Sequence, residues 1–104
     1  MEIEIKFRAF DSISHEMHSW YVIGNTHLPL HDFIKLKHYH LMQFTGLKDK
    51  KGVDIYIGDI LKTFRGSIIY FKNMIEYYFW MDENYSAFQK VEIIGNIHEN
   101  PELL

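Results

Sequence analysis

The sequence of 104 residues contains no cysteine and only two prolines. The absence of cysteine excludes disulfide bonds, thiolate metal ligands and cysteine nucleophiles. No apolar run reaches the roughly 18 residues that a membrane-spanning helix requires, and the N-terminus does not have the pattern of a signal peptide. These absences predict one small soluble domain in the cytoplasm, stabilised by an apolar core.

Aromatic residues make up 16% of the chain, and this abundance favours β-strands. Residues 2–10 alternate strictly, which predicts a half-buried strand with Phe7 and Ala9 on one face and Lys6 and Arg8 on the other. Residues 17–23 predict a second strand, antiparallel to the first.

Short strands separated by Gly and Asn turns continue through the rest of the chain and predict a mainly β fold, a small barrel or a sandwich. We expect a strand over residues 39–44 and a loop over 45–52. A strand over 54–64 is interrupted at Gly58-Asp59, where glycine suggests a bulge. Further strands are expected over residues 67–71, 75–81, 88–94 and 97–98. Two parts are predicted, an N-terminal β-hairpin lobe over 1–36 and a β-barrel part over 37–104.

The charges are unevenly distributed along the chain. Residues 35–72 contain eight basic and three acidic residues, whereas both ends are net acidic and the whole chain carries −3. The basic segment is compatible with a nucleic-acid interface, with ion pairs inside the chain, or with complementary surfaces of identical subunits. The net negative charge argues against a dedicated nucleic-acid binder. The candidate interaction residues are Lys48, Lys50, Lys51, Lys62 and Arg65.

Seven histidines raise the question of a metal site. On a strand, His38 and His40 would project to one face and could share a metal, and His27 and His31 are four residues apart. Neither pair has a consistent third ligand, so we expect no metal and no other cofactor. No serine lies in a G-x-S-x-G turn and no phosphate-binding glycine loop is present, so we predict no catalytic residues and a protein that is not an enzyme.

Two aromatic residues near the C-terminal third, Tyr78 and Trp80, fall on the outward face of a predicted strand. Outward aromatic residues can stack nucleic-acid bases or form an interface between subunits. We expect an interface, with Trp80 as the anchor of a homo-oligomer.

Three segments together carry a specific resemblance. They are IKFRAFD at residues 5–11, LMQFTGLKDKKGVDIYIGDIL at 41–61 and IIGNIHENPELL at 93–104. The chain resembles the YopX family of phage and prophage proteins in these segments, whereas residues 12–38 and 62–90 correspond to variable regions. Lys51 departs from the family pattern, which usually has Asn before Gly52.

The resemblance implies a β-rich fold whose C-terminal part is similar to an SH3-like barrel, an origin in a phage or prophage of a Gram-positive bacterium, and a location in the host cytoplasm. It implies no established activity. We therefore expect a non-enzymatic accessory protein that binds another protein or itself, with a nucleic-acid-binding module using the central basic loop as the alternative. The motif residues expected to be architectural are Gly46, Gly52, Gly58, Asp59, Gly95 and Asn96.

Overall fold

The computed structural model describes residues 4–25, 35–63, 65–73 and 91–104. Within these ranges the protein is mainly β, as expected. The elements in chain order are β1 Phe7–Asp11, β2 Glu16–His18, α1 Trp20–Gly24, β3 Tyr39–Lys48, β4 Asp54–Tyr56, β5 Asp59–Lys62, β6 Ile68–Tyr70, β7 Glu92–Asn96 and a 3₁₀ helix at Pro101–Leu103.

The strands form two antiparallel sheets. The first has the order β2-β1-β3-β4, and the second has the order β6-β5-β7. The predicted antiparallel pairing of the first two strands is confirmed, with Phe10 opposite Met17. The connection between them is fixed by Asp11, whose Oδ1 accepts hydrogen bonds from the N–H groups of Ile13 and Ser14. Short polar side chains of this kind satisfy the backbone of a turn.

The predicted second strand over residues 17–23 is wrong beyond His18. Helix α1 begins at Trp20 instead, because Ser19 caps it and its Oγ accepts a hydrogen bond from Val22 N–H at 3.3 Å. Ile23 is the buried residue of this helix and packs against Ala9. The strand propensity of these aromatic and β-branched residues is therefore overridden by the cap and by this contact.

The loop predicted over residues 45–52 is also partly wrong, because β3 continues to Lys48. Its pairing with β4 has a register shift between Phe44 and Lys48, and Gly46 lies in this stretch with φ +90°. Thr45 holds the irregular segment to β4 by donating its hydroxyl to the carbonyl of Ile55 at 2.7 Å. The strand therefore continues beyond an irregularity that the sequence pattern suggested was its end.

The interruption at Gly58-Asp59 is confirmed as a break, but it is a turn between β4 and β5 rather than a bulge within one strand. This turn transfers the chain from the first sheet to the second. Gly58 has φ +101°, donates its N–H to the carbonyl of Phe71 at 2.7 Å and accepts a hydrogen bond from Ile97 N–H at 2.9 Å. A residue with a side chain rarely adopts this φ, which explains the glycine.

In the part of the chain that the structure describes, buried apolar side chains form three clusters. The cluster of the second sheet also includes β4, and two smaller clusters lie on opposite faces of the first sheet, because alternate residues of a strand point to opposite faces. Burying a large apolar side chain contributes roughly 1.5–3 kcal/mol, so these clusters supply most of the stabilisation. The buried members are Ile55, Leu61, Phe71 and Val91 in the first cluster, Ala9 and Ile23 in the second, and Met42, Phe44 and Tyr56 in the third.

Strand β3, which opens the predicted barrel part, pairs along its first half with β1 of the predicted N-terminal lobe. One sheet therefore joins the two predicted parts. The boundary at residue 36 stays a prediction, since residues 26–34 lie outside the described ranges. The strands predicted over residues 75–81 and at the start of 88–94 lie outside them too. Where the structure is described, none of its helices has the length and apolar character needed to cross a membrane.

Candidate functional site

The predicted basic loop is neutralised in part by acidic groups of the same chain. Lys48 Nζ lies 2.7 Å from Asp54 Oδ1, and the Nζ atoms of Lys50 and Lys51 lie 3.3 and 2.6 Å from the two carboxylate oxygens of Glu92. Hydrogen bonds from Lys51 and Lys50 lower the pKa of Glu92. The bond between Lys51 and Glu92 also raises the pKa of Lys51. The pairing inside the chain that the sequence allowed is therefore present for three lysines.

Asp49 gives this loop its shape. The residue is 7% exposed, and its Oδ1 accepts hydrogen bonds from Lys51 N–H at 2.8 Å and Val53 N–H at 3.0 Å. Its Oδ2 accepts from Ile93 N–H at 3.1 Å and so links the loop to β7. Gly52, with φ +81°, closes the turn by donating its N–H to the Asp49 carbonyl at 3.0 Å. The loop is thus an ordered support for its lysines.

Three of the predicted basic residues converge around one carboxylate. Lys62 on β5 stands directly opposite Glu92 on β7, the residue that also binds Lys50 and Lys51. Directly opposite residues of paired strands project to the same face. Exposed Arg65 follows in the connection between β5 and β6. The structure therefore brings Lys50, Lys51 and Lys62 into one patch, here named the lysine patch.

A second charged cluster, which the sequence pattern did not indicate, joins the two sheets. Arg8 on β1 donates a hydrogen bond through NH2 to Oδ1 of Asp59, and its guanidinium lies 4.4 Å from the centre of the Tyr56 ring. Asp59 is fully buried, and its Oδ2 accepts a hydrogen bond from Tyr56 N–H at 2.7 Å. Burial raises the pKa of Asp59, opposed by Arg8 and the Tyr56 N–H. Asp59 thus connects β1 of the first sheet to the turn that leads into the second sheet.

The charged face of β1 is covered rather than open to water. The side chains of Lys6 and Arg8 are each 17% exposed. Lys6 Nζ lies 2.7 Å from Asp54 Oδ2 and 4.4 Å from the centre of the Phe44 ring. Burial opposes ionisation of Asp54, but hydrogen bonds from Lys48 and Lys6 lower its pKa overall. The sequence offered one signal for Asp54 and Asp59 as ion-pair partners: they are two of only three acidic residues in the basic segment 35–72.

The histidines do not assemble as the metal hypothesis required. His38 lies with its ring centre 4.3 Å from that of Tyr39, whereas His40 stacks on His98 at 4.7 Å. Burial, followed by the charges of His40 and Arg8, lowers the pKa of His98. Across residues 4–25, 35–63, 65–73 and 91–104 no group of three ligand-type side chains could hold a metal ion. His27 and His31 lie outside these ranges.

Gly95 and Asn96 build the turn that carries His98. The Asn96 Oδ1 accepts hydrogen bonds from the N–H groups of His98 at 3.0 Å and Glu99 at 2.9 Å. A Cβ at Gly95 would lie 2.5 Å from Asn100 Oδ1, so a side chain at this position would displace the turn. Both residues therefore contact the turn directly, and their architectural role stays a prediction.

Helix α1 exposes three consecutive apolar residues, here named the α1 patch: Trp20, Tyr21 and Val22. Their exposed fractions are 37%, 79% and 43%. Trp20 packs on Phe7 with ring centres 5.9 Å apart, which orients the helix on the sheet. The sequence pattern did not indicate this patch, because the aromatic and β-branched residues of 17–23 predicted a strand. The predicted interface residues Tyr78 and Trp80 lie outside the described part of the chain.

Comparisons with known proteins match this chain to a family model and to a solved structure. The family model described as YopX protein matches residues 22–104. The crystal structure of protein EF1440 from Enterococcus faecalis is similar over 99% of both chains, with 27% sequence identity and a TM-score of 0.60. No protein with a curated description matches this chain.

Proposed function

The chain belongs to the YopX family, and from that premise we propose that it is a non-enzymatic accessory protein of a phage or prophage that binds another protein or a second copy of itself. Its place of action in this proposal is the cytoplasm of the bacterial host. Its C-terminal part adopts an SH3-like barrel in the same proposal, which the register shift between Ile60 and Leu61 in the β5–β7 pairing supports.

The observation that carries the proposal is the α1 patch. Exposed apolar residues are ordinary when scattered, but Trp20, Tyr21 and Val22 are consecutive on one short helix. Tyr and Trp are enriched among the residues that dominate the energy of protein interfaces. Ile23 and Trp20 hold the helix on the sheet. Tyr21 and Val22 are therefore free to contact a partner while the helix stays packed.

The test replaces Tyr21 and Val22 by Ser. Ile13 is the matched control, because it is 74% exposed, close to the 79% of Tyr21, and lies in the turn at the other end of the β1–β2 hairpin. We expect Tyr21→Ser/Val22→Ser to lose the complex seen by sedimentation or by affinity capture from nuclease-treated lysogenic cells. Ile13→Ser retains it.

Equal binding by all three proteins would contradict an interface at α1. Circular dichroism separates a loss of binding caused by the interface from one caused by misfolding, which is not expected, since exposed substitutions usually change stability by less than about 0.5 kcal/mol. A monomer that captures no protein would contradict the proposed function itself.

The nucleic-acid alternative is supported by the lysine patch, where Lys50, Lys51 and Lys62 surround the single carboxylate of Glu92. Phosphate contacts make binding fall linearly with the logarithm of salt concentration, by about 0.9 per contact on duplex DNA. Anisotropy of labelled duplex and single-stranded oligonucleotides therefore distinguishes the two functions. If the alternative holds, Lys50→Gln/Lys51→Gln reduces the slope of the logarithm of the binding constant against the logarithm of salt concentration by about 2 on duplex DNA. Under the leading proposal neither oligonucleotide binds at physiological salt.

A further inference from the structure

The segment that follows β7 is held on the first sheet by an aromatic stack. The ring of His98 lies nearly parallel to that of Phe10 on β1, with an interplanar angle of 13° and centres 5.5 Å apart. It also stacks on His40 of β3 at 4.7 Å. Phe10 is 4% exposed, so the segment contributes to covering an apolar side chain.

The other contacts of this segment lie at its start. Ile97 N–H donates to the carbonyl of Gly58 at 2.9 Å, which ties the segment to the turn between the sheets. Asn96, the last residue of β7, accepts hydrogen bonds from the N–H groups of His98 and Glu99, so it holds the turn in shape at the end of that strand. Residues 101–104 are exposed.

The charges around His98 oppose its protonation. His40 faces it from β3 and becomes a like charge when protonated, and Arg8 on β1 contributes a permanent positive charge. The carboxylate of Glu99 on the same segment acts in the opposite sense, but it is engaged by Asn96 Nδ2 at 2.9 Å. Burial is the largest of the effects that lower the pKa of this imidazole.

We propose that His98 is a pH-sensitive latch, whose protonation releases residues 97–104 from the sheet and uncovers Phe10 while both sheets remain folded. After release, water solvates the His98 imidazole in place of the His40 ring, and the imidazole lies farther from the guanidinium of Arg8. It requires the loss of one hydrogen bond between Ile97 and Gly58, whereas the strands keep all of their pairing.

The direction of the pH dependence follows from linkage. A histidine whose pKa is lower in the closed state than in the open state binds its proton more readily when open. Above the ordinary histidine pKa of about 6.5, the closed state has its full stability relative to the open state. Below that value, the equilibrium constant for closing falls by up to about tenfold for each pH unit. The loss ends at the lowered pKa of the closed state.

Amide hydrogen exchange of the whole chain tests the latch, with rates corrected for the intrinsic effect of pH. We expect the Ile97 N–H to lose protection by up to about fivefold between pH 6.5 and 5.5, because the open-state imidazole is already half protonated at pH 6.5. The reference is the N–H of Phe44 on β3, which donates to the carbonyl of Lys6 at 2.9 Å and reports the first sheet. No change at Ile97 overturns the proposal, and an equal loss at Phe44 overturns it by showing global opening.

Variants assign the effect to His98. His98→Phe keeps an aromatic ring on Phe10 without a titrating group, so its protection at Ile97 no longer depends on pH. His38→Phe is the matched control and keeps the response, because His38 packs on Tyr39 outside the stack. His40→Phe reduces the response by removing one of the like charges. An unchanged response in His98→Phe overturns the proposal.

Discussion

Replacing Arg8 by Met tests how much the buried ion pair stabilises the fold. The substitution keeps an unbranched apolar side chain and leaves the Asp59 carboxylate, whose side chain is 1% exposed, with the Tyr56 N–H as its remaining hydrogen bond. Breaking a buried pair costs about 3–5 kcal/mol. The change also removes Arg8 Nε, which is buried without a hydrogen-bond partner in the described part of the chain, and this offsets about 1 kcal/mol. We expect a net loss of about 2–4 kcal/mol, a large part of the roughly 5–15 kcal/mol that stabilises a small domain.

Urea unfolding measures the loss, and its pH dependence identifies the cause. In Arg8→Met the guanidinium no longer opposes the effect of burial, so the pKa of Asp59 rises further above its unfolded value. A group with a raised folded pKa stabilises the protein fully below its unfolded value of about 3.9, and this stability is lost as pH rises through the folded value. The difference between wild type and variant is therefore smaller at pH 5 than at pH 8.

The matched control is Lys48→Met, which removes another cation bonded to a carboxylate. Lys48 is 62% exposed and its partner Asp54 keeps Lys6, so we expect a loss below about 1 kcal/mol. If Arg8→Met costs no more than Lys48→Met, or if its cost does not depend on pH, the assignment of Asp59 as a buried carboxylate that depends on Arg8 is refuted.

Two glycine substitutions test the turns. Gly58→Ala should destabilise the protein by more than about 1 kcal/mol in urea unfolding, because φ is +101° and the new Cβ would lie 2.7 Å from Met42 Cε. Gly66→Ala is the control: Gly66 has φ +87° and open space around it, so this variant measures the cost of the backbone conformation alone. Equal losses of stability in the two variants would contradict the contribution of the contact with Met42. Gly95→Ala should shift the amide resonances of the 96–100 turn, because its Cβ would lie 2.5 Å from Asn100 Oδ1; an unchanged spectrum would contradict the close approach.

The local pattern predicted a strand over residues 2–10, and the structure shows this strand as β1, which begins only at Phe7 after the irregular residues 4–6. Alternation shows that Lys6 and Arg8 share a face, and it is silent on what covers that face. Their partners, Asp54 and Asp59, are 48 and 51 residues away along the chain. This information is non-local, so periodicity over a short window could not supply it.

Segments with mixed signals were predicted less well. Residues 20–24 are strand formers by composition, and the decisive feature for the helix is Ser19, a cap that is also common in turns. The candidate lysines were identified from composition alone. Their convergence on Glu92 depends on the pairing of β5 with β7, which only the fold reveals. The break at Gly58-Asp59 was predicted, because a glycine inside an apolar run marks a bend or a close approach of the backbone, but as a bulge and not as the turn that the structure shows.

The turn at Ile57–Gly58 has a consequence for the rate of folding. Its hydrogen bonds reach Gln43 in the first sheet, Phe71 beside the second and Ile97 after β7. The side-chain bonds beside it close loops of 48 and 51 residues. Loop-closure entropy must be overcome before such contacts stabilise the chain, and folds dominated by distant pairings form in milliseconds to seconds. A nascent chain of this family therefore spends that interval with strand edges unpaired, and its sequence must resist aggregation during folding as well as stabilise the folded state.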